Sequence, residues 1–328
     1  MNSFLFALGA VTPIILMVAI GYLIKRIGLA SVDIAKVLNR LVFRVFLPCM
    51  LFLNVYKLES IKNIDLGYIG YALAILLVIF ILGIPCVMLT TKQGARRGVL
   101  LQAVFRSNYA LIGIPLAQSL FGEEGLAIAT LLSAAAIPMF NILAVVSLSI
   151  FRDGDTRISA KKILLDIIKN PLILSVLAGV ATLCVRALFV HASIPFRLSD
   201  IKPLYTVLGY LSSLATPLAL LVLGIQFEFS AVKELKKEIL FGTLARTLIA
   251  PTLAIGIAYF FLREQLNGSH FAAFVAMFAT PVAVSSVPMA QEMKGDTALA
   301  GQLVVWTTLA SALSVFIASW LLKLAGVF

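Results

Sequence analysis

The chain has 328 residues, 61% of them hydrophobic and only 12% charged, with a mean hydropathy of +1.06. Those values lie outside the range of soluble globular domains and describe a polytopic membrane protein. The net charge of +11 does not point to nucleic acid, because the 26 Lys and Arg fall in short clusters between apolar runs, as loop charges facing anionic lipid do.

Ten apolar runs reach the roughly 20 residues that a hydrocarbon core of about 30 Å requires. They extend approximately over 4–24, 36–56, 67–91, 98–121, 126–151, 168–190, 203–226, 239–262, 271–293 and 298–322. The first has no basic segment ahead of it and reads as a retained helix rather than a cleaved signal peptide. The fourth contains Asn108, Gly113 and Pro115, which bring hydrogen-bonding groups, a flexible backbone and a missing N–H into a lipid-compatible segment. Hydrocarbon tolerates such backbone only where it lines a cavity, so this run reads as a discontinuous helix broken near Gly113 to Pro115. After the fifth run, a hydrophilic stretch at 152–164 with Asp153-Gly154-Asp155 reads as a cytoplasmic linker. The ninth run is the second interrupted one, with its break expected between Pro281 and Pro288.

The two interrupted runs match each other. Pro115 to Ala127 aligns without a gap on Pro288 to Ala300 and is identical at six of thirteen positions, and Pro13 to Gly21 parallels Pro171 to Gly179. The chain therefore reads as a duplicated half, 1–151 and 165–328. Fifteen Lys and Arg lie on one set of connections against six on the other set with both termini, which places the first set in the cytoplasm and both termini outside the cytoplasmic membrane. Five spans per half is an odd number, so the second half enters the membrane inverted. The expectation is an all-α membrane protein of ten transmembrane helices, built as two inverted five-helix repeats with broken, crossing helices four and nine.

In each broken helix a proline stands where it can open the second half-helix. Both half-helix N-termini would then face the bilayer centre, where free N–H groups and aligned dipoles favour a negative charge. Ordinary proline kinks are the alternative. The candidate substrate-binding residues are Arg106, Ser107, Asn108, Gly113 and Pro115 around the first break, with Pro281, Ser285, Ser286, Pro288 and Gln291 around the second. Their small polar side chains, and Gln118 with Gln291, serve either as ligand groups or as interhelical hydrogen bonds. Arg44, Arg106 and Arg246 lie one to two turns inside cytoplasmic helix ends, close enough to snorkel, and together would form a basic vestibule. No Asp lies deep in a span, the two histidines fall near outer helix ends and the three cysteines are isolated in apolar runs. No catalytic set, metal site or cofactor is therefore expected.

Asn108-Tyr-Ala-Leu-Ile-Gly-Ile-Pro-Leu116 resembles the NTLVMGIPL-like segment of the auxin efflux carrier family, which includes plant PIN transporters and bacterial permeases for malonate and similar acids. The runs Arg44 to Asn54, Thr216 to Gly224 and Pro281 to Thr308 are similar to that family's second, seventh, and ninth and tenth helices. The resemblance implies a ten-helix carrier whose helices four and nine cross at prolines, with an organic anion bound near the crossing and with homodimers joined through a scaffold bundle. It matches Asn108 to the asparagine opening the family motif and Pro115 to the crossing proline. The expected function is a permease moving a small organic anion, a carboxylate, by alternating access, with efflux or exchange favoured and a proton or sodium as coupling ion. A sodium-coupled symporter of the bile-acid type and a non-transporting ligand sensor are the alternatives.

Overall fold

The computed structural model describes residues 2–57, 66–151 and 160–328, and among them the backbone is almost wholly helical. In chain order the helices are α1 Asn2–Arg26, α2 Val32–Tyr56, α3 Leu66–Thr90, α4 Gly94–Phe105, α5 Tyr109–Ile150, α6 Ala160–Lys169, α7 Pro171–His191, α8 Lys202–Gln226, α9 Ser230–Leu262, α10 Gly268–Phe278, α11 Ser286–Glu292 and α12 Thr297–Leu324. Among the described residues, α2, α3, α5, α7, α8, α9 and α12 are long and apolar enough to cross a membrane. Their outward faces carry bare hydrophobic side chains such as Leu82, Leu188, Phe260 and Trp320, an exterior suited to hydrocarbon rather than water.

The two interrupted runs of the sequence fall on two helix pairs, α4 with the first limb of α5, and α10 with α11. The limbs of α5 part at Phe121 and Gly122, where Gly122 takes φ +58°. Helix α10 is enclosed on every side, with each residue from Phe271 to Ala279 at 0% exposure. That enclosure explains its all-round apolar sequence, which has no polar face to give to water or to a cavity. Elsewhere helices meet backbone to backbone. A Cβ on Gly21 of α1 would lie 2.2 Å from the Leu221 carbonyl oxygen of α8, and one on Gly224 would lie 2.1 Å from that of Val18. Two glycines thus let α1 and α8 pack at a distance that no larger residue permits.

Three helices contain a widened turn, Val42–Phe46 in α2, Tyr109–Gly113 in α5 and Ala245–Ile249 in α9. Each ends two residues before a proline, Pro48, Pro115 or Pro251. A proline ring collides with the carbonyl four residues back, and bonding five residues back instead makes room for it. Pro115 is therefore absorbed into a helix, and the break expected at Gly113 to Pro115 lies instead at Arg106 to Asn108. The second break spans Ala279 to Ser285, so Pro288 falls at the third position of α11, where a missing N–H leaves no carbonyl unpaired. Of the linker expected at 152–164, residues 152–159 lie outside the described residues and the remainder is already helical in α6.

Candidate functional site

The two breaks satisfy each other. Ser107 and Val282 form an antiparallel bridge, with the Asn108 N–H donating to the Pro281 carbonyl at 2.7 Å and the Ala283 N–H to the Arg106 carbonyl at 3.4 Å. The Val282 N–H donates to Thr307 Oγ1 of α12 at 3.1 Å. Non-helical backbone at the centre of an apolar fold is stable only when its polar groups find partners of this kind. Ser107 and Asn108 favour the break because short polar side chains compete with helical hydrogen bonding.

On one side of the bridge, the C-terminal ends of α4 and α10 converge on Arg246 of α9. Its guanidinium donates to the carbonyls of Phe105 at 3.0 Å and Val104 at 3.4 Å, and to those of Met277, Phe278 and Thr280 at 2.8–2.9 Å. Carbonyls left over at two helix ends, with the negative ends of both dipoles, are matched by one cation. The snorkelling expected for Arg246 is overturned, since its exposure is 0%.

Near the bridge, a cavity of about 250 Å³ lies among α2, the breaks, both limbs of α5 and α8. Its polar lining is Arg106, Ser107, Asn108, Ser285, Asn54, Asn141 and Thr216, and its apolar lining includes Leu47, Met50, Leu51, Ile137 and Phe140. Arg106, at 4% exposure, does not snorkel either. It donates through Nη2 to Asn141 Oδ1 and Ser285 Oγ, both at 2.9 Å, and through Nη1 to Met289 Sδ at 3.0 Å. Among the described residues no carboxylate pairs with it. Asn108 Nδ2 and Ser107 Oγ, both buried, have no hydrogen-bond partner. A positive group, a free amide donor and a free hydroxyl therefore meet beside the opening turn of α5, whose N–H groups add further positive potential.

Of the residues singled out from the sequence, Arg106, Ser107, Asn108 and Ser285 line this cavity, and Gly113, Pro115, Pro281, Ser286, Pro288 and Gln291 do not. Gly113 lets α5 approach α10: a Cβ there would lie 2.8 Å from the Ala276 carbonyl oxygen and 2.5 Å from the Tyr109 ring. Pro281 lends its carbonyl to Asn108, while Ser286 is buried with an unpaired hydroxyl. Gln291 lies at the far end of α11, where its Oε1 accepts from Asn39 Nδ2 of α2 at 2.9 Å and Gln226 Nε2 of α8 at 3.0 Å. Its Nε2 donates to the Lys36 carbonyl at 3.0 Å. The neighbouring Glu292 pairs with Arg40 at 3.5 Å and with Arg44 at 3.3 Å. The three-arginine vestibule is thus not formed: Arg246 is taken by carbonyls, Arg44 by Glu292, and Arg106 alone reaches the cavity. Sequence reasoning passed over Asn141, although a lone amide inside the fifth apolar run is itself a signal, because a membrane span carries such a group only where it finds a partner.

The chain covers 94% of an uncharacterized transporter of Methanothermobacter thermautotrophicus, with 26% identity over 311 residues that make up 93% of this chain. An uncharacterized transporter of Methanocaldococcus jannaschii is likewise 26% identical over 319 residues, 94% of this chain and 96% of that protein. The family model described as membrane transport protein matches residues 6–319. A chain with several membrane-crossing helices, matched over nearly its whole length, belongs to the membrane transport protein family, that of the auxin efflux carriers.

Proposed function

We propose that this protein is a secondary carrier that moves a small organic anion, a carboxylate, across the cytoplasmic membrane by alternating access. The observation that carries this reading is Arg106, a buried cation with only neutral partners, placed on the cavity beside the opening turn of α5. A buried charge without a counterion costs several kcal/mol, and a dipole end of like sign adds to that cost. A carboxylate entering the cavity would relieve both and would find the free Asn108 amide. One cation among largely apolar walls suits a single carboxylate on a small apolar body. Efflux or exchange is the favoured direction.

The architecture we propose is two inverted halves of five spans, divided at the linker 152–164, whose fourth and ninth spans cross at the bridged breaks, with both termini outside. One bundle shifts against the other while the breaks hold the anion, and the carrier works as a homodimer. Thermal unfolding in detergent with acetate, benzoate, malonate and indole-3-acetate, with and without sodium, tests the site. A ligand at a hundredfold excess over its Kd stabilises the folded state by about 2.7 kcal/mol. The expected result is a carboxylate-dependent rise in Tm that disappears in Arg106→Gln. An equal rise in that variant removes Arg106, and with it the anion reading, from the cavity. A response to sodium with none to any carboxylate would favour cation-coupled symport of another solute class.

A further inference from the structure

Arg106 is held by acceptors from three separate elements, and all three are neutral: the Asn141 amide on the second limb of α5, the Ser285 hydroxyl in the second break and the Met289 thioether on α11. The Asn141 amide is itself fixed, because its Nδ2 donates to the Ile137 carbonyl at 2.9 Å. Its Oδ1 must therefore face the guanidinium, and a flipped amide would oppose two donors. Asn141 is buried, at 2% exposure. These partners occupy Nη1 and Nη2, and Nε has none among the described residues.

An aspartate would have the same shape as Asn141 and would bind the guanidinium more strongly. It would also cancel the charge. We propose that Asn141 is a positioning residue that holds the Arg106 guanidinium in place without neutralising it, leaving its full charge to the carboxylate of the solute. This inference rests on the anion reading of the cavity, and it adds that the neutrality of the second limb of α5 at this position selects for a charged solute.

The test compares Asn141→Asp, Asn141→Leu and Arg106→Gln with the unaltered protein by thermal unfolding in detergent, using acetate and benzoate as probes and benzamide as the uncharged control. In Asn141→Asp the new ion pair with Arg106 is set against the lost bond to the Ile137 carbonyl, so the protein without ligand should unfold near the original Tm, while the half-saturating carboxylate concentration rises at least tenfold. In Asn141→Leu the guanidinium loses a tether but keeps its charge, so the response should persist with a several-fold weaker half-saturation. A purely structural asparagine would instead make the two variants alike, both lower in Tm and both weaker in response. If Asn141→Asp fails to fold, an unchanged response in Asn141→Leu overturns the inference, and a weakened one confined to carboxylates supports it. A response lost in Arg106→Gln but intact in both Asn141 variants overturns the role of Asn141 and leaves the anion site standing. A response retained in Arg106→Gln, or absent from the unaltered protein with both probes, overturns the two together.

Discussion

Arg246 and Arg106 occupy the same apolar interior, and their neighbours treat them differently. Five carbonyls from two helix ends and a break converge on Arg246, so its charge is spent within the protein. Replacing it by Met would strand those carbonyls away from water, and a buried polar group left unsatisfied typically costs about 1–3 kcal/mol. Arg246→Met should therefore unfold in detergent well below the parent Tm, and Arg246→Lys should recover little, because a compact ammonium cannot span both helix ends. A Tm within a degree of the parent for Arg246→Met would contradict this account. From the sequence, the two residues look alike: each is an arginine one or two turns inside an apolar run. What separates them is which helix ends meet around them, a fact of tertiary packing that no local pattern encodes.

The broken helices show what local pattern does encode. Prolines and glycines marked the fourth and ninth spans as discontinuous, and the folded chain interrupts both. The first break lies about two turns before Pro115, because proline is not the breaker here. In all three helices with a widened turn, that turn accommodates the proline, and the helix ends instead where Arg106, Ser107 and Asn108 find partners across the molecule. The matched Gln118 and Gln291 were legible only as polar groups of either use. Gln291 ties α11 to α2 and α8 through three hydrogen bonds, all of them remote from the cavity. Interhelical hydrogen bonds in membranes contribute about 0.6 kcal/mol on average. Gln291→Ala should accordingly lose about 1–2 kcal/mol of stability, read as a modest drop in Tm, while the carboxylate response keeps its half-saturation. A lost response would place Gln291 at the site after all.

Across the whole molecule, hydropathy and charge carried most of the information. The apolar runs fall on helix apart from the breaks in the fourth and ninth, and the exterior is apolar where lipid is expected. The placement of lysines and arginines gives an orientation that labelling can check. In a background with Cys49, Cys86 and Cys184 replaced, Glu264→Cys should react with a membrane-impermeant maleimide in intact cells. Lys237→Cys should react only after permeabilisation. Both positions are exposed, so the reverse pattern would invert the topology rather than report burial. The cavity was not legible at this scale, because its walls come from five separate stretches of chain that only the fold assembles.

The bridge between Ser107 and Val282 joins residues 175 positions apart, and this separation bears on how the protein is made. While the ribosome is still producing the second half, the native partners of the Asn108 N–H and the Arg106 carbonyl do not yet exist. Their partners arrive only when Pro281 to Ala283 have been synthesised, and Arg246, which covers the end of α4, arrives little earlier. The amino-terminal half is thus an unfinished object until late in translation, and for that interval its survival depends on whatever in the cell shelters polar backbone inside a membrane.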